Sequence, residues 1–126
     1  MRVYFIFDIK EEFINLYKGN ERVLYNILKQ IYYLEKEEVE YGYHLFKQLI
    51  NPIEKNKVDR YLFLKLHQDI PYSKRKDTHY YNNLYRDEIS RLTVKKSYIK
   101  IEAEQLSSSF FHFLNQIDSR LFVCEF

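Results

Sequence analysis

Residues 3–21 read as an apolar strand running directly into a short helix with too many apolar residues, and no other stretch restricts the fold as much. Val3, Phe5 and Phe7 face one way and Tyr4 and Ile6 the other, so both faces are apolar and the strand belongs inside a sheet. Asp8 followed by Glu11 has the form of a capping box, the acid at the N-cap accepting an orphan amide of the first turn. Gly19 is the natural left-handed stop after one short helix. At about 100° per residue, Ile9, Phe13, Ile14, Leu16 and Tyr17 sweep an arc of roughly 160°, against the ~100° stripe that a surface helix needs. Part of that arc stays available to something other than the chain's own core.

Two glycines and two prolines leave little room for linkers, and no repeat or low-complexity tract is present. Asn20 can cap a second helix in which Val23, Leu24, Ile27, Leu28, Ile31 and Leu34 follow the i, i+3, i+4, i+7 rule. The acidic run 35–40 opens a third helix after a break near residues 32–36, with Val39, Tyr43, Phe46, Leu49 and Ile50 inward. Asn51-Pro52 ends it, because the residue before proline avoids the α region. Residues 58–67 fit a helix through Val58, Tyr61, Leu62 and Leu66, although Leu62, Leu64 and Leu66 also alternate. Pro71 to Asp77 reads as a polar loop, and Leu92–Lys95 with Tyr98–Glu102 as a hairpin rich in β-branched positions. Ser107 or Ser108 caps a last helix carrying Phe110, Phe111, Phe113, Leu114 and Ile117, and residues 121–126 return as a strand. The expected fold class is α+β. A small, mostly antiparallel sheet packs with about four or five helices, largely on one face, in a single domain over residues 1–126.

Composition narrows the function classes. One cysteine, Cys124, excludes an internal disulfide and any cysteine-based zinc site and fits a reducing, cytoplasmic setting. No apolar run reaches transmembrane length and no signal-peptide core opens the chain, so no membrane role is expected. Thirteen Tyr and ten Phe with no Trp suit an aromatic core and hint only weakly at a binding face. Charge is uneven. Residues 65–100 carry nine basic and four acidic side chains, a net of +5, while residues 1–64 balance at ten of each.

Catalytic chemistry finds no foothold. Neither a P-loop nor Gly-x-Gly-x-x-Gly occurs, and His44, His67, His79 and His112 are scattered without metal-ligand spacing. Cys124 sits in an apolar strand as a buried, inert thiol, and the triple serine 107–109 lacks the glycines of a nucleophile elbow. Glu11-Glu12 and Glu37-Glu38 diverge on a helix and cannot share a substrate atom. No enzyme, metal or cofactor is expected. Lys74-Arg75-Lys76 with His79, Tyr80 and Tyr81 offers cations and aromatics to nucleic acid, but Asp77, Asp87 and Glu88 dilute the field.

Lys10, Glu11, Glu12, Phe13, Tyr17, Gly19 and Glu21 together form a run that resembles the opening of the sporulation inhibitor of replication family, SirA. The similarity continues through Val23, Leu24, Leu34-Glu35-Lys36, Lys47-Gln48 and Pro52-Ile53, and returns in Ile99, Ile101, Phe110-Phe111 and Leu114. The resemblance implies a non-enzymatic inhibitor that binds the N-terminal domain of the replication initiator DnaA. Core and interface stand level for Phe13 and Tyr17 on the residues alone, and the resemblance favours an interface. It makes Phe13 and Tyr17 anchors, Ile14 an apolar flank, Lys10 and Asn15 a rim, and Gln48 an added hydrogen bond from the third helix. A monomer without direct nucleic-acid binding is expected. The alternative is a small nucleic-acid module using residues 74–96, and a third reading is a homo-oligomer using the same first helix on itself.

Overall fold

The structure, a computed structural model, describes residues 1–104, 108–117 and 121–126. Its organising element is β1 (Arg2–Asp8). Side chains that are apolar on both faces demand cover on both faces and partners on both edges. β1 accordingly pairs antiparallel with β5 (Ile99–Ala103) on one side and β6 (Leu121–Cys124) on the other. With β2 (Tyr72–Arg75), β3 (Thr78–Asn83) and β4 (Glu88–Val94) they form a six-stranded sheet in the order β2-β3-β4-β5-β1-β6. Every pairing in it is antiparallel. The fold is α+β.

Alternation along β1 splits the core in two. Tyr4 and Ile6 join Leu92, Ile99 and Ile101 beneath α4 (Lys55–Leu66) and α5 (Ser109–Ile117). Leu62 and Leu66 of α4 are completely buried there, each stabilising the fold by roughly 1.5–3 kcal/mol. On the opposite face Phe5, Phe7 and Cys124 meet α1 (Glu11–Leu16), α2 (Glu21–Tyr32) and α3 (Val39–Leu49), chiefly through Leu24, Leu28 and Leu49. Helices therefore lie on both faces of the sheet rather than largely on one. The two-faced apolar strand is the reason.

Several local expectations change. Asp8 does not cap α1: it ends β1, and its Oδ1 accepts a hydrogen bond from Asn51 Nδ2 at 3.3 Å. The backbone of residues 8–10 is engaged by residues 49–51, with Ile9 bridging Ile50, Lys10 N–H donating to Leu49 O and Asn51 N–H to Asp8 O. Ile9 is thus a buried core residue, not part of the helical arc. Residue 10 is the N-cap and makes no side-chain bond, which leaves Glu11 and Glu12 to complement the dipole. Gly19 does adopt the left-handed region, at φ +82°.

Helices α2 and α3 are separated at residues 33–38, where a short 3₁₀ turn (Lys36–Glu38) intervenes. Val39 and Tyr43 are about half exposed, not inward. Gly42 takes the buried position instead, because α3 approaches Leu34 so closely that a Cβ there would overlap Leu34 Cδ1. Val23 also lies off the buried stripe of α2, which runs through Leu24 and Leu28. The supposed polar loop at 71–77 is largely β2, joined to β3 by a tight turn in which Lys76 has φ +53°. β3 was not anticipated, and β4 begins at Glu88 rather than Leu92. For α5, Ser108 Oγ accepts Phe110 N–H at 3.4 Å, and Glu88 reaches across from β4 to take Ser109 N–H at 2.7 Å. Ser107 lies outside the described residues. β6 ends at Cys124, freeing Phe126 to stack on Tyr32 with ring centroids 5.0 Å apart.

Candidate partner-binding face

Helix α1 is six residues long and buries no residue completely. An isolated helix of that length is unstable in water, so packing must hold it. Phe13, Ile14 and Tyr17 supply that packing, each half-buried against the Phe7 and Leu24 side of the core. Leu16 is the odd member of the arc: it is 65% exposed. The overfull arc thus resolves into Ile9 as core, three half-buried residues and one exposed leucine.

Ile14 and Tyr17 also line a groove of about 210 Å³ together with Asn15, Lys18, Leu24 and Phe122. Phe122 belongs to β6, the edge strand of the sheet, so the groove runs between α1, α2 and that edge. Asn15 is exposed and Lys10 half-buried. Gln48 is exposed on the last turn of α3, and the bond from Lys10 N–H to Leu49 O at 2.9 Å draws that turn beside the start of α1. Phe13 is not among the groove-lining residues. Leu16 received no role from its sequence position, since period alone does not say which side of an overfull arc faces water.

A second cluster, invisible as a motif, joins α4 to the β2–β3 hairpin. His79 is fully buried, with Nε2 2.7 Å from Asp59 Oδ1 and Nδ1 2.8 Å from the Tyr72 hydroxyl. Lys55 Nζ donates to Asp59 Oδ2 at 2.8 Å. Burial pushes the imidazole below its ordinary value despite Asp59 beside it. Burial pushes Asp59 up, but Lys55 and His79 outweigh it and hold the carboxyl below the usual range. Desolvation, with Asp59 adding to it, pushes the Tyr72 phenol up to about 12. Through these bonds the cluster ties α4 to the hairpin as a polar clamp. Its one sequence signal is Asp59, an acid beside Val58 on the inward side of a helix, which requires a partner.

Burial likewise pushes the Cys124 thiol up to about 12. Among the described residues no group of three His, Cys, Asp or Glu side chains could hold a metal ion, and no helix is long and apolar enough to cross a membrane.

Fold and face together describe an α+β protein with an exposed leucine and a small groove on its first helix. The family model described as "Sporulation inhibitor of replication protein SirA" matches residues 2–126, and the chain belongs to that family. A comparison with curated proteins gave no match. Membership in a replication-inhibitor family points to a regulatory role exercised on the replication-initiation machinery rather than to catalysis.

Proposed function

We propose that this protein inhibits replication initiation during sporulation by occupying the N-terminal domain of DnaA. Residues 1–126 act in the cytoplasm as one domain, and α1 is the contact face. The observation that carries the reading is the α1 surface itself: an exposed Leu16 and, elsewhere on the same short helix, the groove that Ile14 and Tyr17 line against Phe122. An apolar groove with an amphipathic tyrosine at its wall suits a partner's helix, since Tyr offers large area, a hydroxyl and little entropy loss. Tyr17 and Phe13 anchor the contact, Phe13 chiefly by holding α1 in place. Ile14 and Leu16 are apolar flanks, Lys10 and Asn15 the polar rim, and Gln48 adds a hydrogen bond from α3. Binding there obstructs whatever uses that DnaA domain for self-association or helicase loading. Calorimetric titration with a DnaA N-terminal fragment tests this. Tyr17→Ala should weaken binding by ~2 kcal/mol, about thirtyfold, with an unchanged circular dichroism spectrum. Full affinity in that variant would remove α1 as the contact face.

A further inference from the structure

The second face of the sheet is covered unequally. Helices α1–α3 pack over β1 and β6, and none of the buried residues of that core comes from β2, β3 or β4. The registers place Arg75, Thr78, Thr93 and Lys100 in one row across β2–β5 that continues into Phe5 of β1. Ser73, Tyr80, Arg91 and Glu102 form the next row. All eight are exposed or half-exposed. Exposed Lys95 and Lys96 lie in the β4–β5 turn at the same end of the sheet. Glu102 is the one acid in these two rows, and Arg91 at 2.8 Å and Lys100 at 3.9 Å already engage it. The basic excess of residues 65–100 therefore gathers largely on this corner.

The cations border an open apolar cavity. Between α2, α3 and the sheet lies a pocket of about 230 Å³ walled by Phe5, Phe7, Phe46, Tyr98 and Phe126, with the half-exposed Tyr32 beside them. Phe5 sits directly across from Lys100, and Tyr98 shares the face of Lys100 just before it. A polar sheet half needs no explanation when it merely faces water. An aromatic-walled cavity left open at its border does, because apolar surface of that kind is normally covered or used.

We propose that this corner binds an acidic peptide segment of a protein partner, one large apolar side chain filling the aromatic pocket and carboxylates lying along Arg91, Lys100 and Arg75. Charge complementarity selects the acidic chain. The single tyrosine on the open rows, Tyr80, disfavours single-stranded nucleic acid, which needs successive aromatic platforms for successive bases. This surface is distinct from the α1 groove, with which the aromatic pocket shares no lining residue.

The test is an amide chemical-shift titration of the whole protein with three probes. They are a short synthetic poly-glutamate peptide with one central phenylalanine, the same peptide with serine in that place, and a mixed-sequence single-stranded oligonucleotide. The phenylalanine peptide should shift the amides of Arg91, Tyr98 and Lys100 and lose affinity in high salt. The serine peptide should bind about tenfold more weakly, as expected for an apolar anchor. Lys100→Glu, a surface change whose fold the same spectra verify, should lower peptide affinity about tenfold. Peptide shifts that map elsewhere, equal binding of the two peptides, full binding by Lys100→Glu, or tighter oligonucleotide binding at the same amides would each overturn the proposal.

Discussion

Single side chains divide sharply between holding the fold and facing outward. Phe13 and Leu16 are both apolar members of α1, yet one is half-buried and the other 65% exposed. Phe13→Ala should lower the unfolding free energy by about 1–3 kcal/mol, whereas Leu16→Ala should stay within ~0.5 kcal/mol of wild type; chemical denaturation distinguishes them. The reverse order would mean that α1 presents its other side. Cys124 was legible from its apolar strand, and its thiol, pushed up to about 12, should resist a thiol reagent at mild alkaline pH and react only in denaturant. The buried imidazole was not legible, because Asp59, Tyr72 and His79 come together only through the packing of α4 on the hairpin. His79 is held below its ordinary 6.5, so the unfolded chain binds its proton first and stability falls as pH drops through that value. Asp59, also held down, supports the fold above its ordinary 3.8 and loses that contribution in stronger acid. Ring-proton shifts of His79 should show no midpoint at or above 6.5, and melting temperature should decline from neutral pH towards pH ~5. A ring that titrates above 6.5 would contradict this.

At the scale of elements, helices were easier to read than strands. α2 announces itself by apolar spacing and α5 by its serine and phenylalanines, whereas the α4 stretch also alternates through Leu62, Leu64 and Leu66 and fits a helix without excluding a strand. β2 and β3 do not, because one face is polar and the other carries the exposed Lys74 with His79 and Tyr81 instead of an aliphatic alternation. The capping box failed for a related reason: a non-local pairing of residues 8–10 with 49–51 claimed the backbone that a cap would have used. Tertiary pairing outranks local signal where the two compete. The hairpin's dependence on one buried carboxylate makes a further prediction. Asp59→Ala leaves a fully buried His79 nitrogen without its partner, and an orphaned buried polar group costs about 1–3 kcal/mol. Hydrogen exchange should accelerate first in β3, residues 78–83, before β1 or β5 is affected. Uniform acceleration across the sheet would mean that the clamp stabilises the whole fold and not the hairpin.

Across the whole molecule, the sheet holds the two competing surfaces at opposite edges. The α1 groove lies at the β6 edge, while Lys74 and Arg75 occupy β2, the opposite edge of the same sheet. Lysines and arginines on an edge strand are a common defence against strand addition, which accounts for these two without a nucleic-acid role. A protein that neutralises several DNA phosphates loses about 0.9 log units of affinity per log unit of salt for each contact. Lys74, Arg75 and Lys76 offer at most a few contacts, and at ~150 mM salt the Debye length is only about 8 Å. Duplex DNA binding at that ionic strength should therefore be negligible. Reversing all three charges should leave affinity for the DnaA fragment within about twofold, since the exchanged residues lie at the far edge from α1. A nucleic-acid module predicts the opposite pair of results, namely salt-sensitive DNA binding that disappears with the triple reversal and survives Tyr17→Ala. Gel shifts and calorimetry on the two variants, each at two salt concentrations, separate these outcomes. DNA binding that follows the basic strand would displace α1 as the working surface.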